Sequence, residues 1–336
     1  MRNIFAFILI IITVSVSGCS FQMSQGEKKQ TTSLLNSDFN NLETESNNEM
    51  NINNLFGKIK VNNEFIFYIT KSGITRLDKS KKEKISILSE NDIYDIAIWN
   101  DEVYYLIHDS KDNVQIKSVD FSGKHEHVVW MGNEALFNGK PLELDSIWKF
   151  DIYNGKLYIW INGICIVEYD QTTKELSEFL PDVSQITFCG SYAYYTVHAE
   201  RTFSLYSINL NTKKVKMLRG NGKTKESRQN FENEINIDQV IVAGGELYYS
   251  TRLPNRIYKY IEDGEDILLK QFSDSEYHYL LEFDDFPYYA VTSYEKENVR
   301  YKIFKIDRKS GESVFVAEVD KSIFKDVMLM LDAIVE

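Results

Sequence analysis

The sequence is 336 residues long, with 43% hydrophobic and 13% aromatic residues, and its formal net charge is −12. That apolar content is enough for one large core or two ordinary ones, which excludes a largely disordered chain. The excess of Asp and Glu, 50 against 38 Lys and Arg, argues against a phosphate backbone as the main partner. We therefore predict that the protein does not bind nucleic acid.

The N-terminus is typical of a secretory targeting segment. Arg2 supplies a positive charge, and residues 4–16 form an apolar run that is too short to span a bilayer comfortably. The sequence VSGC at residues 16–19 then resembles the lipobox of bacterial lipoproteins. This resemblance implies a signal peptide of residues 1–18, cleavage before Cys19, and a diacylglyceryl thioether on its sulfur. The alternative is a plain signal peptide followed by a chance cysteine.

Residues 19–53 are predicted to be a disordered tether that begins at the lipidated cysteine. The stretch is dominated by Asn, Ser, Thr, Gln and Glu, and its apolar residues follow no sustained period. Such a segment cannot bury enough surface to offset the entropy of ordering. We therefore expect an extracytoplasmic protein that is held to the bacterial cell membrane through the lipid on Cys19.

From about residue 54 the chain repeats one pattern six times. An apolar run and a short turn precede a pair of aromatic or apolar residues, and the second residues of these pairs stand at positions 68, 105, 158, 195, 249 and 289. The turn residues can adopt positive φ, as in two-residue hairpins. These turns are Asn62-Asn63, Asn100-Asp101, Asn154-Gly155, Gly190-Ser191, Gly244-Gly245 and Asp284-Asp285.

A second pair of strands follows each aromatic pair. The first of these two strands ends at a short acceptor side chain that can close a turn. The five residues of this kind are Asp78, Asp120, Asp170, Asn209 and Asp307. Each repeat therefore contains four antiparallel strands. Around Tyr104 and Tyr105 the strand is apolar at both odd and even positions, so both of its faces must be covered.

Six four-stranded units without intervening helices are typical of a β-propeller, in which neighbouring blades cover both faces of every strand. We predict an all-β fold over residues 54–336, a six-bladed β-propeller of four-stranded antiparallel blades. A pair of β-sandwiches is the alternative, which the fixed period disfavours. The second residues of the aromatic pairs in blades two steps apart are separated by 90, 90, 91 and 94 residues. This regular spacing indicates duplication of a two-blade unit, with long connections after blades two and four.

The C-terminal run at residues 326–336 is ambiguous from its pattern. Its apolar residues fit either a helical stripe or a strand that pairs near the N-terminal blade. The closing strand is favoured, because an open propeller exposes an edge.

The repeat that contains VYYLIHD and IKSVDFSGKHEHVV resembles uncharacterised bacterial lipoprotein domains described as low-density-lipoprotein-receptor-like β-propellers. Repeats of that family read roughly I-Y-Y, then L-Y-R-I-D-x-D-G, then a basic and apolar strand. The resemblance covers about residues 54–320 and implies the fold, but it implies no catalytic residue, because a propeller hosts many functions. This sequence departs from the pattern in that most blades lack the Gly after the turn Asp.

Motifs for catalysis, cofactors and metals are absent, so we predict no catalytic residue, no cofactor and no metal site. His125 and His127 share a strand face, but they belong to an outer strand without an evident third ligand. The acidic stretch at residues 262–266 lacks the spacing of an EF-hand, which favours a solvated hairpin turn. Cys165 and Cys189 lie in apolar contexts that favour separate thiols over a disulfide.

The candidate binding surface lies where the second strand of each blade ends. Its polar members stand three residues after the second aromatic, and two tyrosines are their neighbours. The set is Lys71, His108, His198 and Arg252, with Tyr104 and Tyr194. The hypothesis is that this locally basic face binds an anionic or sugar-like ligand or a partner loop. Duplication alone also accounts for the equivalent positions of His108 and His198, because polar residues at loop ends are ordinarily solvated.

These features favour a membrane-anchored binding or scaffolding module whose ligand is a protein or glycan of the cell envelope. The alternative is an extracytoplasmic enzyme, such as a glycan or peptide hydrolase or lyase, because propeller active sites can be assembled from residues distant in sequence. An enzyme would place carboxylates and His together at one end of the central channel. A binding module would present an aromatic and polar surface there.

Overall fold

The computed structural model describes most of the chain between residues 59 and 320. The parts of that span left undescribed are 71, 109–112, 133–135, 138–139, 142–146, 148, 162–164, 182, 200–201, 221–235, 253, 274–275 and 296–297. The predicted signal peptide, tether and C-terminal closing strand therefore lie outside the described residues. Among the described residues, no helix is long and apolar enough to cross a membrane.

The described strands form six four-stranded antiparallel sheets, each made of four consecutive strands. Blade one consists of β1 (Ile59–Val61), β2 (Phe65–Thr70), β3 (Gly73–Asp78) and β4 (Lys84–Leu88). Blade two consists of β5 (Ile93–Trp99), β6 (Glu102–His108), β7 (Val114–Asp120) and β8 (His127–Met131). A short hairpin of β9 (Leu136–Phe137) and β10 (Lys140–Pro141) follows, and blade three consists of β11 (Lys149–Tyr153), β12 (Lys156–Ile161), β13 (Cys165–Asp170) and β14 (Leu176–Pro181). Blade four consists of β15 (Val183–Cys189), β16 (Tyr192–Ala199), β17 (Thr202–Asn209) and β18 (Val215–Arg219). Blade five consists of β19 (Ile237–Ala243), β20 (Glu246–Arg252), β21 (Asn255–Lys259) and β22 (Ile267–Gln271). Blade six consists of β23 (His278–Phe283), β24 (Phe286–Glu295), β25 (Asn298–Ile306) and β26 (Ser313–Asp320). The predicted six-bladed β-propeller is confirmed.

The first hairpin of most blades uses the backbone conformation that its sequence predicts. Asn100, Asp101, Asn154 and Asp284 all have positive φ, between 49° and 65°, as tight hairpin turns require. Blade one differs, because the Asn62 side-chain oxygen closes its turn by accepting bonds from the backbone N–H groups two and three residues later. The same turn is therefore made by side-chain bonding instead of backbone conformation.

The predicted acceptor residues also close the turn between the third and fourth strands. In blade one, Asp78 Oδ1 accepts bonds of 2.9 Å from the N–H groups of Ser80 and Lys81. Asp170, Asn209 and Asp307 accept the corresponding N–H groups two and three residues later in their own blades, while Asp120 accepts those two and four residues later. These bonds satisfy backbone donors at a reversal where no strand partner is present.

Apolar packing between blades explains why the aromatic pairs are buried. Tyr105 is fully buried in a cluster shared by blades one and two, and Tyr249 is 2% exposed in a cluster shared by blades four and five. Tyr104, the neighbour of Tyr105 in β6, belongs to a different cluster that is shared with blade three. Neighbouring sheets therefore cover both faces of β6, as its apolar residues at odd and even positions predict.

The ring closes between its first and last blades within the described residues. One apolar cluster contains Ile59, Tyr68 and Leu77 of blade one together with Leu281 and Tyr288 of blade six. A 2.6 Å ion pair between Lys79 Nζ and Asp284 Oδ1 joins the same two blades at the surface. Side-chain packing therefore contributes to closure here, and the closing strand predicted for residues 326–336 stays a prediction.

Candidate functional site

One end of the propeller brings together the end of each second strand and the start of each first strand. We call this the upper end; it carries His108 at the end of β6 and Arg252 at the end of β20. Blades two and five are three steps apart in a ring of six, so these two residues lie on opposite sides of the channel mouth. Lys71 lies outside the described residues. For His198 the structure describes the backbone, which pairs with Phe203 in β17.

A β-bulge at the start of the first strand explains how the upper end is built. In blade two the register shifts between Ile93 and Asp95, which leaves Tyr94 as the extra residue, and in blade five a shift between Ile237 and Gln239 leaves Asp238 extra. Bulges re-aim side chains at the ends of strands. Both extra residues contact the predicted site residue that stands 14 positions later in their own blade.

In blade two the bulge supports His108. The rings of Tyr94 and His108 have centroids 4.4 Å apart, and His108 Nε2 lies 3.1 Å from the carbonyl oxygen of Ile147. The imidazole is half-buried, so it is held by two contacts while one part remains accessible to solvent. Stacking and a hydrogen bond of this kind fix a side chain before any ligand arrives.

In blade five the bulge supports Arg252. Its Nε lies 3.0 Å from Asp238 Oδ1, and the Asp238 side chain is only 10% exposed. Burial raises the pKa of Asp238, while the charge of Arg252 and its hydrogen bond act in the opposite direction. Arg252 is therefore a charged group whose charge is already paired, and it adds little net positive charge to this face.

His278 joins the same cluster, although the sequence analysis did not select it. It is the first residue of β23 and is 8% exposed, and its ring stacks on Phe272 with centroids 4.4 Å apart. Burial, and then the charge of Arg252, lower the pKa of His278 to about 4. Its Nε2 has no hydrogen-bond partner among the described residues. At neutral pH the upper end therefore holds an uncharged imidazole with an unpaired nitrogen next to an ion pair.

His278 was not predicted because it begins a first strand, whereas the predicted polar residues stand at or next to the ends of second strands. The fold brings these two kinds of position together at the upper end. For the supporting residues a signal was available in the sequence. Tyr94 stands 14 positions before His108, and Asp238 stands 14 positions before Arg252.

The two tyrosines predicted to flank the site are in different environments. Tyr104 is 5% exposed and belongs to the apolar cluster between blades two and three. Burial, and then the Glu102 carboxylate, raise the pKa of Tyr104. Tyr194 is half-buried, and its ring centroid is 6.3 Å from that of Tyr192. Tyr104 is thus placed in the core, whereas Tyr194 keeps an accessible part.

The central channel contains carboxylates, which is the feature expected of an enzyme, but several are bonded to backbone N–H groups. Asp95 accepts the N–H of Ile96 at 3.0 Å and the N–H of Phe150 in the next blade at 3.1 Å. Asp151 accepts the N–H of Ile152 at 2.9 Å. First strands present an unpaired edge to the channel, so such acceptors replace missing ladder bonds.

Two glutamines make the same kind of bond between blades as Asp95. Gln185 of blade four accepts the N–H of Val240 in blade five at 3.0 Å, and Gln239 of blade five accepts the N–H of Leu280 in blade six at 2.6 Å. Each of these three acceptors follows a bulge in its first strand. We call these three contacts the interblade bonds. They join blade two to three, four to five, and five to six.

Lys60 and Glu282 bring further polar groups to the channel. Lys60 is 2% exposed, and its Nζ has no hydrogen-bond partner among the described residues. Its charge acts on both Asp95 of blade two and Glu282 of blade six. Burial raises the pKa of Asp95 to about 6 and that of Glu282 to about 8.

The remaining candidate residues act locally. His125 Nδ1 lies 2.7 Å from Asp120 Oδ2, and no group of three or more metal-ligating side chains occurs in the part of the chain that the structure describes. Cys165 and Cys189 are separate free thiols. The acidic turn is solvated as predicted over Glu262, Asp263, Gly264 and Glu265, which are all exposed. At its end the Asp266 side chain is only 7% exposed, lies 2.6 Å from Arg219 Nε and accepts a bond from Tyr249.

Comparisons with known proteins support the fold. No family model matches this chain, and no curated protein matches it. A structure from a study of two prolyl endopeptidases matches with 12% identity and a TM-score of 0.51, over 77% of this chain and 41% of that one. A virginiamycin B lyase from Staphylococcus aureus matches with 12% identity and a TM-score of 0.46, over 78% and 82% of the two chains. TolB from Acinetobacter baumannii matches with 12% identity and a TM-score of 0.43, over 77% and 67%.

At these identities the likeness concerns the fold alone. The six described four-stranded blades themselves define the class of protein as a six-bladed β-propeller. The chain spans less than half of the prolyl endopeptidase structure. The activities named for these proteins are therefore not assigned to this chain.

Proposed function

We propose that this chain is a lipid-anchored, extracytoplasmic β-propeller that acts as a binding or scaffolding module, with its upper end as the binding surface. The anchor is supported by the VSGC sequence at residues 16–19 and the apolar run before it. Its resemblance to uncharacterised lipoprotein propellers supports the same assignment.

The observation that supports the binding role is an arrangement found in two blades at the upper end. In blades two and five a bulge residue holds the predicted site residue in place, through the Tyr94 ring against His108 and through Asp238 against Arg252. Side chains fixed before binding lose less entropy when a ligand is bound. Two such positions on opposite sides of one mouth suit a ligand or partner loop that spans the channel.

The contacts of the channel carboxylates favour a binding role over a hydrolase or lyase activity. A general acid or base needs an oxygen within reach of substrate, whereas both Asp95 oxygens accept backbone N–H groups. The bond from Phe150 N–H to Asp95 joins two blades, which accounts for the burial of the Asp95 carboxylate. The enzyme alternative would require a reaction centre away from these bonds.

Replacement of the lipidated cysteine tests the anchor. Cys19→Ser should abolish labelling by a fatty-acid analogue and release the protein from the membrane fraction. Continued labelling of this variant would contradict the lipobox assignment.

Affinity capture of the tagged, lipidated protein from its own membranes tests the binding role. We expect a protein or glycan to be retained by the parent and to be lost when the upper end is blocked by substitution. Turnover of a glycan or peptide by the purified protein, without stable retention, would favour the enzyme alternative.

A further inference from the structure

We propose that the upper end between blades five and six is a subsite for an uncharged, hydroxyl-rich sugar unit, formed by Tyr277, Arg252, Asp238 and His278. This inference rests on the proposed binding function and deepens it, because it names the class of ligand.

The first step is the exposed aromatic ring of Tyr277. This side chain is 55% exposed and directly precedes His278. Its backbone is fixed, because its carbonyl oxygen accepts the N–H of Thr292 at 2.9 Å. A ring held at the surface offers a flat apolar face against which the C–H groups of a sugar can pack.

The connection that carries Tyr277 is also fixed by side chains. Asn255 Nδ2 donates to the carbonyl oxygens of Ser273 and Glu276 at 3.0 Å each, and Glu276 Oε2 accepts the N–H of Ser273 at 2.8 Å. These bonds tie the start of blade six to the third strand of blade five. The ring of Tyr277 and the imidazole of His278 are therefore presented from one braced segment.

The second step is the hydrogen-bonding capacity around His278, the residue that follows Tyr277 in the chain. Arg252 is a donor with a 38% exposed side chain, Asp238 is an acceptor, and His278 Nε2 is unpaired. A hydroxyl group both donates and accepts, so it can satisfy a neutral imidazole and an ion pair together. Leaving such a nitrogen buried and unpaired is costly, which favours a ligand that bonds to it.

The third step is charge, which selects an uncharged sugar over an anion. Asp238 pairs with Arg252 at 3.0 Å and offsets its charge. Hydrogen bonds from the Ser273 N–H and hydroxyl lower the pKa of the neighbouring Glu276, so a further negative charge stands close by. An anionic ligand would meet this carboxylate without a free cation to balance it.

Calorimetric titration of the full-length lipidated protein in detergent tests the subsite. The probes are chitotetraose and maltotetraose as neutral oligosaccharides, with tetragalacturonate and sulfate as anionic comparators. We expect at least one neutral oligosaccharide to bind and both anions to fail. Tyr277→Ala should weaken that binding about tenfold, the loss of one well-placed aromatic contact.

Two further variants separate stacking from a loss of folding. Tyr277→Phe keeps the ring and should bind within about twofold of the parent. Phe315→Ala removes a ring that is also 54% exposed but lies on the outer strand β26, and it should bind like the parent. Binding of only the anions, no binding of either neutral oligosaccharide, or full affinity in Tyr277→Ala would overturn the sugar subsite.

Membrane capture with Tyr277→Ala keeps this inference distinct from the proposed function. Retention of a protein partner by this variant, without any sugar binding by the parent, overturns the subsite and leaves the binding module standing. Failure of the parent in both capture and titration overturns both.

Discussion

The central channel and the upper end both contain buried polar side chains, but they use them differently. In the channel, Asp95, Gln185 and Gln239 give their oxygens to backbone N–H groups of the next blade. At the upper end, Arg252 remains partly exposed and His278 Nε2 has no partner among the described residues. The interblade bonds of the channel satisfy backbone donors of the ring, whereas on our proposal His278 Nε2 and the exposed part of Arg252 at the upper end serve a ligand. Substitutions in the two regions should therefore affect different measurements.

The largest effect on stability is expected for an interblade bond. Gln185→Ala leaves the buried N–H of Val240 without its 3.0 Å acceptor, which should lower the free energy of unfolding by about 1–3 kcal/mol. Urea unfolding measures this change. Gln271→Ala, at an exposed position of β22, is the matched control and should change stability by less than about 0.5 kcal/mol. Equal effects of the two substitutions on the free energy of unfolding would show that the interblade bonds do not stabilise the ring.

A second effect in the channel depends on pH. Burial raises the pKa of Glu282 to about 8, so the folded state keeps a proton that the unfolded chain releases near pH 4.3. The stability gained from this proton is complete below about pH 4 and is lost as the pH rises toward 8.

Glu282→Gln mimics the protonated side chain and keeps the oxygen that accepts the Asp285 N–H at 3.0 Å. It should therefore match the parent at pH 4 and be more stable than the parent at pH 9, where the parent has lost the stability linked to this proton. Urea unfolding at several pH values checks this. A variant with the same pH dependence as the parent would show that Glu282 does not titrate in this range.

The smallest effect on stability is expected at the upper end. Tyr277→Ala removes a ring that is 55% exposed, so the free energy of unfolding should change by less than about 0.5 kcal/mol. The same urea unfolding experiment measures it. A loss as large as that of Gln185→Ala would place Tyr277 in the structural framework and blur the distinction between the two regions.

The sequence predicts the fold well because the propeller is a repeated local pattern. The hairpin residues Asn100 and Asp101, the turn acceptor Asp78 and the doubly apolar strand around Tyr105 each specify one part of a blade. Six repetitions of that pattern define the ring. The first hairpin shows the limit, because Asn62 closes its turn through a side-chain bond that composition does not distinguish from positive φ.

The site was only partly predictable, because its partners are contributed by different strands and blades. His108 and Arg252 were selected from their repeat position, but their supports Tyr94 and Asp238 depend on bulges that shift the register by one residue. His278 comes from the next blade, so no spacing within one repeat reveals it. The pairing of Arg252 with Asp238 also changes the electrostatics, since a face predicted to be basic contains a compensated charge.

The most direct test of the account is membrane capture with an upper-end triple variant, His108→Ala, His198→Ala and Arg252→Ala. Its matched control is Lys81→Ala, Lys174→Ala and Lys309→Ala, which removes three exposed cations from turns at the opposite end. Both variants should remain folded. The account predicts that the upper-end variant loses at least about tenfold in affinity for the captured ligand, while the control binds like the parent. Unchanged affinity in a folded upper-end variant would contradict the placement of the binding surface.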